Sequence, residues 1–414
     1  MIETDTNLGS GIKIKCSRES LVETVVLVAR AVSSRTSVQV LAGILITAEK
    51  GRLRLAATDM ELSISSSLEV EVGEEGASVV PGRVFVDACR SLPTSESEVT
   101  IEQTSGSRML SITCGAASYR LNVSTPEDFP RLAEIKDEGV VKVDRAAFLE
   151  TTGRVARAAS RDESRPVLTG ILIRFDQGTS PSTRKLTVAA SDSYRFAVKE
   201  TELEFEKCSP QAKTASAAVE GDSSSAGGEG AETGSEAPEL EAIVPARSIA
   251  ELARVPAFGD ELQLSIQDNH VIFMLGDATV STRRIDGQFP PPSKYLPESF
   301  LHTIKVERTE FLDAVRRVSV MAQRTSPIKL NFEEGALTVS AQTQDVGEAS
   351  ETLAVAFKGE PLQIGFKAEF LREGIESVLG DELELNLNSP IQPGLLRAEG
   401  DSFWYLIMPI RLAG

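Results

Sequence analysis

The tetrapeptide GILI stands at 43–46 and again at 170–173. The chain repeats in register around both copies. SRESLVET (17–24) precedes the first, DRAAFLET (144–151) precedes the second, and a third copy opens as ERTEFLDAVRRV at 307–318. An alternating segment stands before each start: IKIK at 12–15, VVKV at 140–143 and HTIKV at 302–306. Another follows each: GRLRLAATD at 51–59, RKLTVAASD at 184–192 and GALTVSAQ at 335–342. Such repetition constrains the fold more than any single motif, because every copy must form the same supersecondary unit.

A second repeat lies inside the first. VVPGRVFVDACRSLP (79–93) is echoed by AIVPARSIAELARVP (242–256) and, more loosely, by IGFKAEFLREGIESVLG (364–380). Alternating strand pairs follow each copy. In 17–32, Leu21, Val25, Val28, Ala29 and Val32 fall on one face of a helix. Ser17 and Asp144 are placed to cap the first two such helices. The period-two runs predict strands with one buried face. The expected architecture is α+β: three tandem similar lobes, each of two strand–helix–strands half-units, with six helices. Their bounds are 11–136, 139–298 and 301–414. Three such lobes are too short an array for a solenoid of about 20–45-residue repeats.

The net charge is −18, which by itself argues against binding nucleic acid. The charge is uneven, however. Residues 214–241 hold seven acids and no Lys or Arg. The Ala/Gly/Ser/Glu-rich stretch 209–238 is expected to be a disordered acidic insert in the second lobe. A basic face elsewhere therefore remains open. No stretch approaches a membrane span, and the N-terminus shows no signal pattern, so the expectation is a cytoplasmic protein. Cys16, Cys89, Cys114 and Cys208 are far apart. The first three lie among apolar residues and read as small buried hydrophobes.

Several segments, in this order, resemble the bacterial DNA polymerase III beta subunit, the sliding-clamp family, over roughly 12–412. They are AVSSRT (31–36), LAATDMELSI (55–64), VPGRVFVDACRSLP (80–93), DFP (128–130), ASDSYRFAV (190–198), IDGQFPPPSKYLP (285–297) and the closing YLIMPIRL (405–412). The resemblance implies a head-to-tail homodimeric ring around double-stranded DNA, with helices lining the hole and sheets outside. Such a ring tethers the replicative polymerase without reading sequence, so only its inner helices need to be basic. Each of the six expected helices carries at least two cations, among them Arg30, Arg154, Arg157, Arg247, Arg316 and Arg317.

By the same resemblance Arg35 and Arg83 match DNA-facing positions. Arg161 and Arg165 match a DNA-touching loop, although Pro166 and Val167 stand where the family has aromatic residues. A groove that takes short linear motifs from the polymerase, clamp loader and other proteins maps to Leu168, Ser191, Ser193, Tyr194, Arg195, Phe196, Leu264, Leu406, Met408, Pro409, Ile410, Arg411 and Leu412. Arg195 and Arg411 are expected at its rim. Tyr194 stands where the family often has histidine and Ser193 where glycine is common, which implies a narrower or differently gated groove. Leu121 and Val123 match one side of the dimer seam, and Val320 and Met321 match the other. Gln39 replaces a common proline, with only a local loop change expected.

Nothing points to catalysis. The two histidines, His270 and His302, sit in no metal-spaced cluster, and there is no P-loop or GxSxG. No cofactor or metal is expected. Asp59 and Glu61 are a conceivable acid/base pair, but the internal copy at Asp192 has Tyr194 in place of the second acid, so a turn cap is the expected role. The alternative to a clamp is a multi-lobed scaffold that binds peptides and does not encircle DNA.

Overall fold

The computed structural model describes residues 11–33, 36–135, 140–180, 182–204, 206–207, 240–256, 259–322 and 326–412. Arg35, Cys208 and the acidic stretch 209–238 lie outside them. The α-helices among these residues are α1 (Arg18–Val28), α2 (Gly82–Arg90), α3 (Arg145–Ala156), α4 (Pro166–Thr169), α5 (Ala246–Leu252), α6 (Arg308–Ser319) and α7 (Ala368–Ser377). Six of them fall where the repeats predict helices, and α4 is an additional single turn. The first copies start as expected: Ser17 Oγ accepts from Ser20 N at 3.5 Å and Asp144 Oδ1 from Ala147 N at 2.7 Å. In the third copy Glu307 takes this place, accepting from Thr309 N and Glu310 N. One boundary differs. The helix expected to reach Val32 ends at Val28 and tightens into a 3₁₀ turn, Ala29–Ala31.

The strands form four antiparallel sheets of five, nine, eight and four strands. The two large sheets cross the lobe boundaries. Strand Leu62–Glu69 of the first lobe pairs with Ala278–Arg283 of the second, with Ile64 opposite Val280. Strand Arg195–Glu204 of the second pairs with Phe403–Ile407 of the third, with Ala197 opposite Tyr405. Neighbouring lobes therefore share main-chain hydrogen bonds as well as side-chain contacts.

A strand order repeats three times. Going inward from the junction, Leu62–Glu69 is followed by Arg52–Thr58, Gly43–Glu49 and Gly76–Pro81. Arg195–Glu204 heads the same series in the second lobe, and Gly347–Ala354 heads it in the third. On the other side of each junction, Ala117–Asn122, Ala278–Arg283 and Phe403–Ile407 are likewise equivalent ends. Two of the three pairs are joined within the chain. The remaining ends, Ala117–Asn122 and Gly347–Ala354, are each bonded on one side only among the described residues.

The main core runs through all three lobes, with Leu21, Phe85, Phe148, Phe273, Phe311 and Phe366 among its fully buried side chains. A second apolar cluster covers part of the eight-stranded sheet. It contains Leu172, Ala189, Phe196, Val198, Ile243, Leu395 and Leu406, packed by Phe289, Phe300 and Trp404. Cys16, Cys89 and Cys114 are buried and unbridged, as expected. Burial pushes the Cys16 and Cys89 thiols up to about 12, so they remain protonated at neutral pH.

Candidate partner groove and DNA-facing surface

The turn after strand Thr183–Ser191 builds one wall of a cleft. Asp192 Oδ1 accepts from Tyr194 N (2.9 Å) and Arg195 N (3.0 Å). Ser193 takes φ +77°, a left-handed conformation that a non-glycine residue adopts at some cost. Ser191 Oγ stitches the turn by donating to Arg195 O (2.8 Å) and accepting from Ser193 N (3.1 Å). The first lobe repeats the device: Asp59 Oδ1 accepts from Glu61 N (3.1 Å) and Leu62 N (2.8 Å). That is the turn-capping role expected for Asp59.

The tail builds the opposite wall. After strand Phe403–Ile407, Met408 N donates to Tyr194 O (2.8 Å) and Ile410 N to Gly365 O (2.8 Å). A Cβ at Gly365 would meet Leu412 Cδ2 at 2.6 Å, so the bare backbone there lets the tail lie flat on the third lobe. Loop residues Ala159–Asp162 and Arg165, together with Lys367, Glu369 and Phe370 at the start of α7, complete a cleft of about 640 Å³ with Asp192, Tyr194, Arg195, Met408, Pro409 and Ile410. Apolar Ala159, Phe370, Met408, Pro409 and Ile410 line it beside Arg161, Arg165 and Lys367, the last paired with Glu369 at 3.3 Å. This mixture suits an extended peptide with apolar anchors and an acid.

Arg195 is not at the rim. It is 7 % exposed and ties the second lobe to the third. Its guanidinium donates to Asp192 (3.0 Å), Glu373, Tyr405 Oη (3.3 Å) and Arg157 O (2.7 Å), and lies 4.3 Å from the Phe370 ring centre. Burial opposes its charge, but Tyr405, Glu373 and Asp192 outweigh that effect and raise its pKa above the ordinary arginine value. Burial also pushes the Tyr405 phenol up.

Other expected groove residues are also displaced. Leu264 is fully buried between Val141 and Phe273 in the nine-stranded sheet, within the second lobe's part of it. No peptide in the cleft reaches it. Phe196 and Leu406 face each other in the sheet and belong to the second apolar cluster. Leu168 is half-buried and serves the loop, its carbonyl accepting from Ser160 N (2.8 Å). Arg411 is exposed outside the cleft lining, and Leu412 packs on Gly365. Lys367, Glu369 and Phe370 were not anticipated. A signal was present: Phe370 sits off the Leu371/Ile375 buried stripe of α7, only half-buried at the edge of the core, with Arg195 and Lys367 over its ring.

Arg83 is exposed on α2, and Arg161 and Arg165 are exposed on the loop after α3. Arg165 donates to Ser193 Oγ (3.0 Å). Behind this loop a second cleft of about 630 Å³ collects Arg157, Arg161, Arg247, Arg283 and Arg284, against Glu61, Glu163 and Glu373. Positive charge is thus concentrated locally despite the acidic total. Several of the helix cations are engaged in ties between lobes: Arg30 with Glu251 (3.1 Å), Arg247 with Asp59 (2.8 Å) and Arg157 with Glu376 (3.1 Å). Arg154 is a structural residue, 9 % exposed and bonded to Ser377 O (2.8 Å) and Asp401 (2.5 Å).

The triplicated fold and its cleft define a clamp-type binding protein. The descriptions "DNA polymerase III beta subunit" N-terminal, central and C-terminal domain match residues 12–133, 142–214 with 230–291, and 293–411. A Streptomyces coelicolor beta sliding clamp is 31 % identical over 97 % of this chain and its own full length. A Synechocystis beta sliding clamp is 30 % identical with the same coverage. A Bacillus subtilis clamp structure superposes with TM-score 0.84 at 23 % identity, over 98 % of this chain and all of that one. A Caulobacter crescentus clamp, described with polyethylene glycol in a putative beta-motif tethering region, superposes with TM-score 0.83 at 25 % identity, over 98 % and 100 %. The chain belongs to the DNA polymerase III beta subunit family. It is a DNA sliding clamp, a non-catalytic processivity factor, and the scaffold alternative is not favoured.

Proposed function

We propose that two copies of this chain join head to tail in a closed ring of six lobes around duplex DNA. The observation that carries this reading is the pair of unsatisfied strand ends. Ala117–Asn122 and Gly347–Ala354 are the one equivalent pair left unjoined within the chain. An open strand edge is a template for pairing with another chain. Pairing the third-lobe edge of one copy with the first-lobe edge of the next repeats the internal junction at the seam, giving nine strands as in the sheet at the first junction. The contact is heterologous and closes only if the rotation returns the chain to its start.

The seam residues flank these edges. Leu121 lies on strand Ala117–Asn122, its side chain buried in the first lobe's own core, with the half-buried Val123 just after it. Met321 O accepts from Thr343 Oγ1 (2.6 Å) beside the start of strand Gly347–Ala354, and Val320 is 76 % exposed. Val320 occupies the helix position that Arg157 and Arg30 hold in the other lobes. There the arginine bonds to the next lobe; at the seam an apolar side chain waits for one.

Arg83, Arg161 and Arg165, with Arg35, attract the phosphate backbone without reading bases, so the ring can slide. The cleft holds short linear motifs of the polymerase, the clamp loader and other proteins. We place the protein in the cytoplasm with the DNA it serves; no helix among the described residues is long and apolar enough to cross a membrane. Negative-stain images test the assembly. Closed rings with a central hole are expected, and open single-chain arcs at micromolar protein would refute it.

A further inference from the structure

The open cleft and the second apolar cluster meet at Met408, which lines the first and packs on the second. Of the residues matched to the docking groove, Phe196 and Leu406 lie on the covered side, 3 % and 1 % exposed. The cover comes from the connection between the second and third lobes. Phe289 meets Phe196 edge-on at 5.9 Å, and Tyr295 stacks on it at 5.6 Å with the planes 29° apart. Trp404 stacks at 6.0 Å.

Tyr295 differs from its neighbours in this cover. It is 42 % exposed, and its hydroxyl has no hydrogen-bond partner among the described residues. Its backbone is set by a run of prolines and a 3₁₀ turn, Pro292–Lys294, with Tyr295 N donating to Pro292 O (3.1 Å). The ring is therefore aimed at Phe196 by the chain and held there by stacking. Phe196 is the one ring it stacks on among the described residues, a contact that another aromatic side chain can replace.

We propose that Tyr295 occupies, from within the chain, the place where a partner's large apolar side chain docks on Phe196 beside Met408. It swings aside when such a peptide binds, and so sets which anchors the groove accepts. The occupant is an extended peptide with an acid, facing Arg161 in the cleft lining, followed by large apolar residues. This rests on the reading of the cleft as the partner groove. The structure shows the closed arrangement, and while it persists the apparent affinity is lowered by the open fraction.

The test uses the full chain and fluorescence anisotropy with a fluorescein-labelled octapeptide ending Asp-Leu-Phe, and a second ending Asp-Leu-Ala. Tyr295→Ala is expected to bind the Leu-Phe peptide about two- to tenfold more tightly, the worth of one aromatic stack. Tyr295→Phe should match the wild type, Tyr295→Trp should bind more weakly, and the Leu-Ala peptide should not distinguish the variants. If the wild type binds but Tyr295→Ala is equal or weaker, or if Ala and Trp shift binding in the same direction, Tyr295 is a fixed wall and the proposal fails. If the wild type binds neither peptide, the groove reading itself fails.

Discussion

Replacing Arg195 with alanine should cost far more than loss of a groove-lining cation. The guanidinium satisfies Asp192 and Glu373, whose side chains are only 11 % and 16 % exposed, and it also holds Tyr405 Oη and Arg157 O. Removing one partner of a buried pair leaves the other charge without compensation, typically about 3–5 kcal/mol. Urea unfolding followed by tryptophan emission is the suitable assay. Trp404, the one tryptophan in the chain, sits in strand Phe403–Ile407 at this lobe junction and reports the contact directly. The Arg195→Ala transition should move to lower urea by that free energy with little change in slope. Arg195→Met combined with Glu373→Met should recover part of the loss, because both charges go together. A cost below about 1 kcal/mol for Arg195→Ala, in the range of exposed pairs, would refute the network as a junction tie.

Val320→Lys puts a charge on the exposed apolar side chain at the seam, 76 % exposed in the single chain, and should convert dimers to monomers in light scattering; an unchanged dimer would misplace the seam. Truncation after Ile407 should abolish motif-peptide binding in anisotropy while leaving the urea midpoint close to that of the full chain. Cutting before Leu406 should damage folding too, because Leu406 and Ile407 pair with Phe196 and Arg195. Asp401 is the pH-sensitive tie. Burial works against its charge, but Arg154, Lys199 and the Phe403 amide outweigh that effect and hold its carboxyl below the usual range. A depressed folded pKa stabilises the protein above the unfolded value near 4 and is lost as pH falls through the folded value. The stability gap between wild type and Asp401→Asn should therefore be full at pH 7 and close below about pH 4 in urea titrations; a gap independent of pH would refute the tie.

The repeat was legible because helices and strands carry their periods in the sequence, and three copies make the periods mutually checking. Which face of a strand is covered was less legible. Phe196 and Leu406 alternate properly, but the eight-stranded sheet buries both faces, one in the main core and one under the connection that carries Phe289 and Tyr295. Alternation cannot reveal a cover supplied from about a hundred residues away. Buried cations were illegible for a related reason. Arg154 and Arg195 read like solvated arginines, and only the third lobe, bringing Asp401, Glu373 and Tyr405 to them, makes them structural. Leu264 was assigned to the groove by position, although its alternating run places it inside the nine-stranded sheet, away from the cleft.

The claim that a ring closes through the two free strand edges is tested most directly on DNA. Protein loaded by a clamp loader onto a nicked circular plasmid is passed over a gel-filtration column and then again after a single restriction cut. A topological ring stays with the circle at high salt and leaves once the DNA is linear. Release from the intact circle at high salt, or retention on the linear form, would contradict closure.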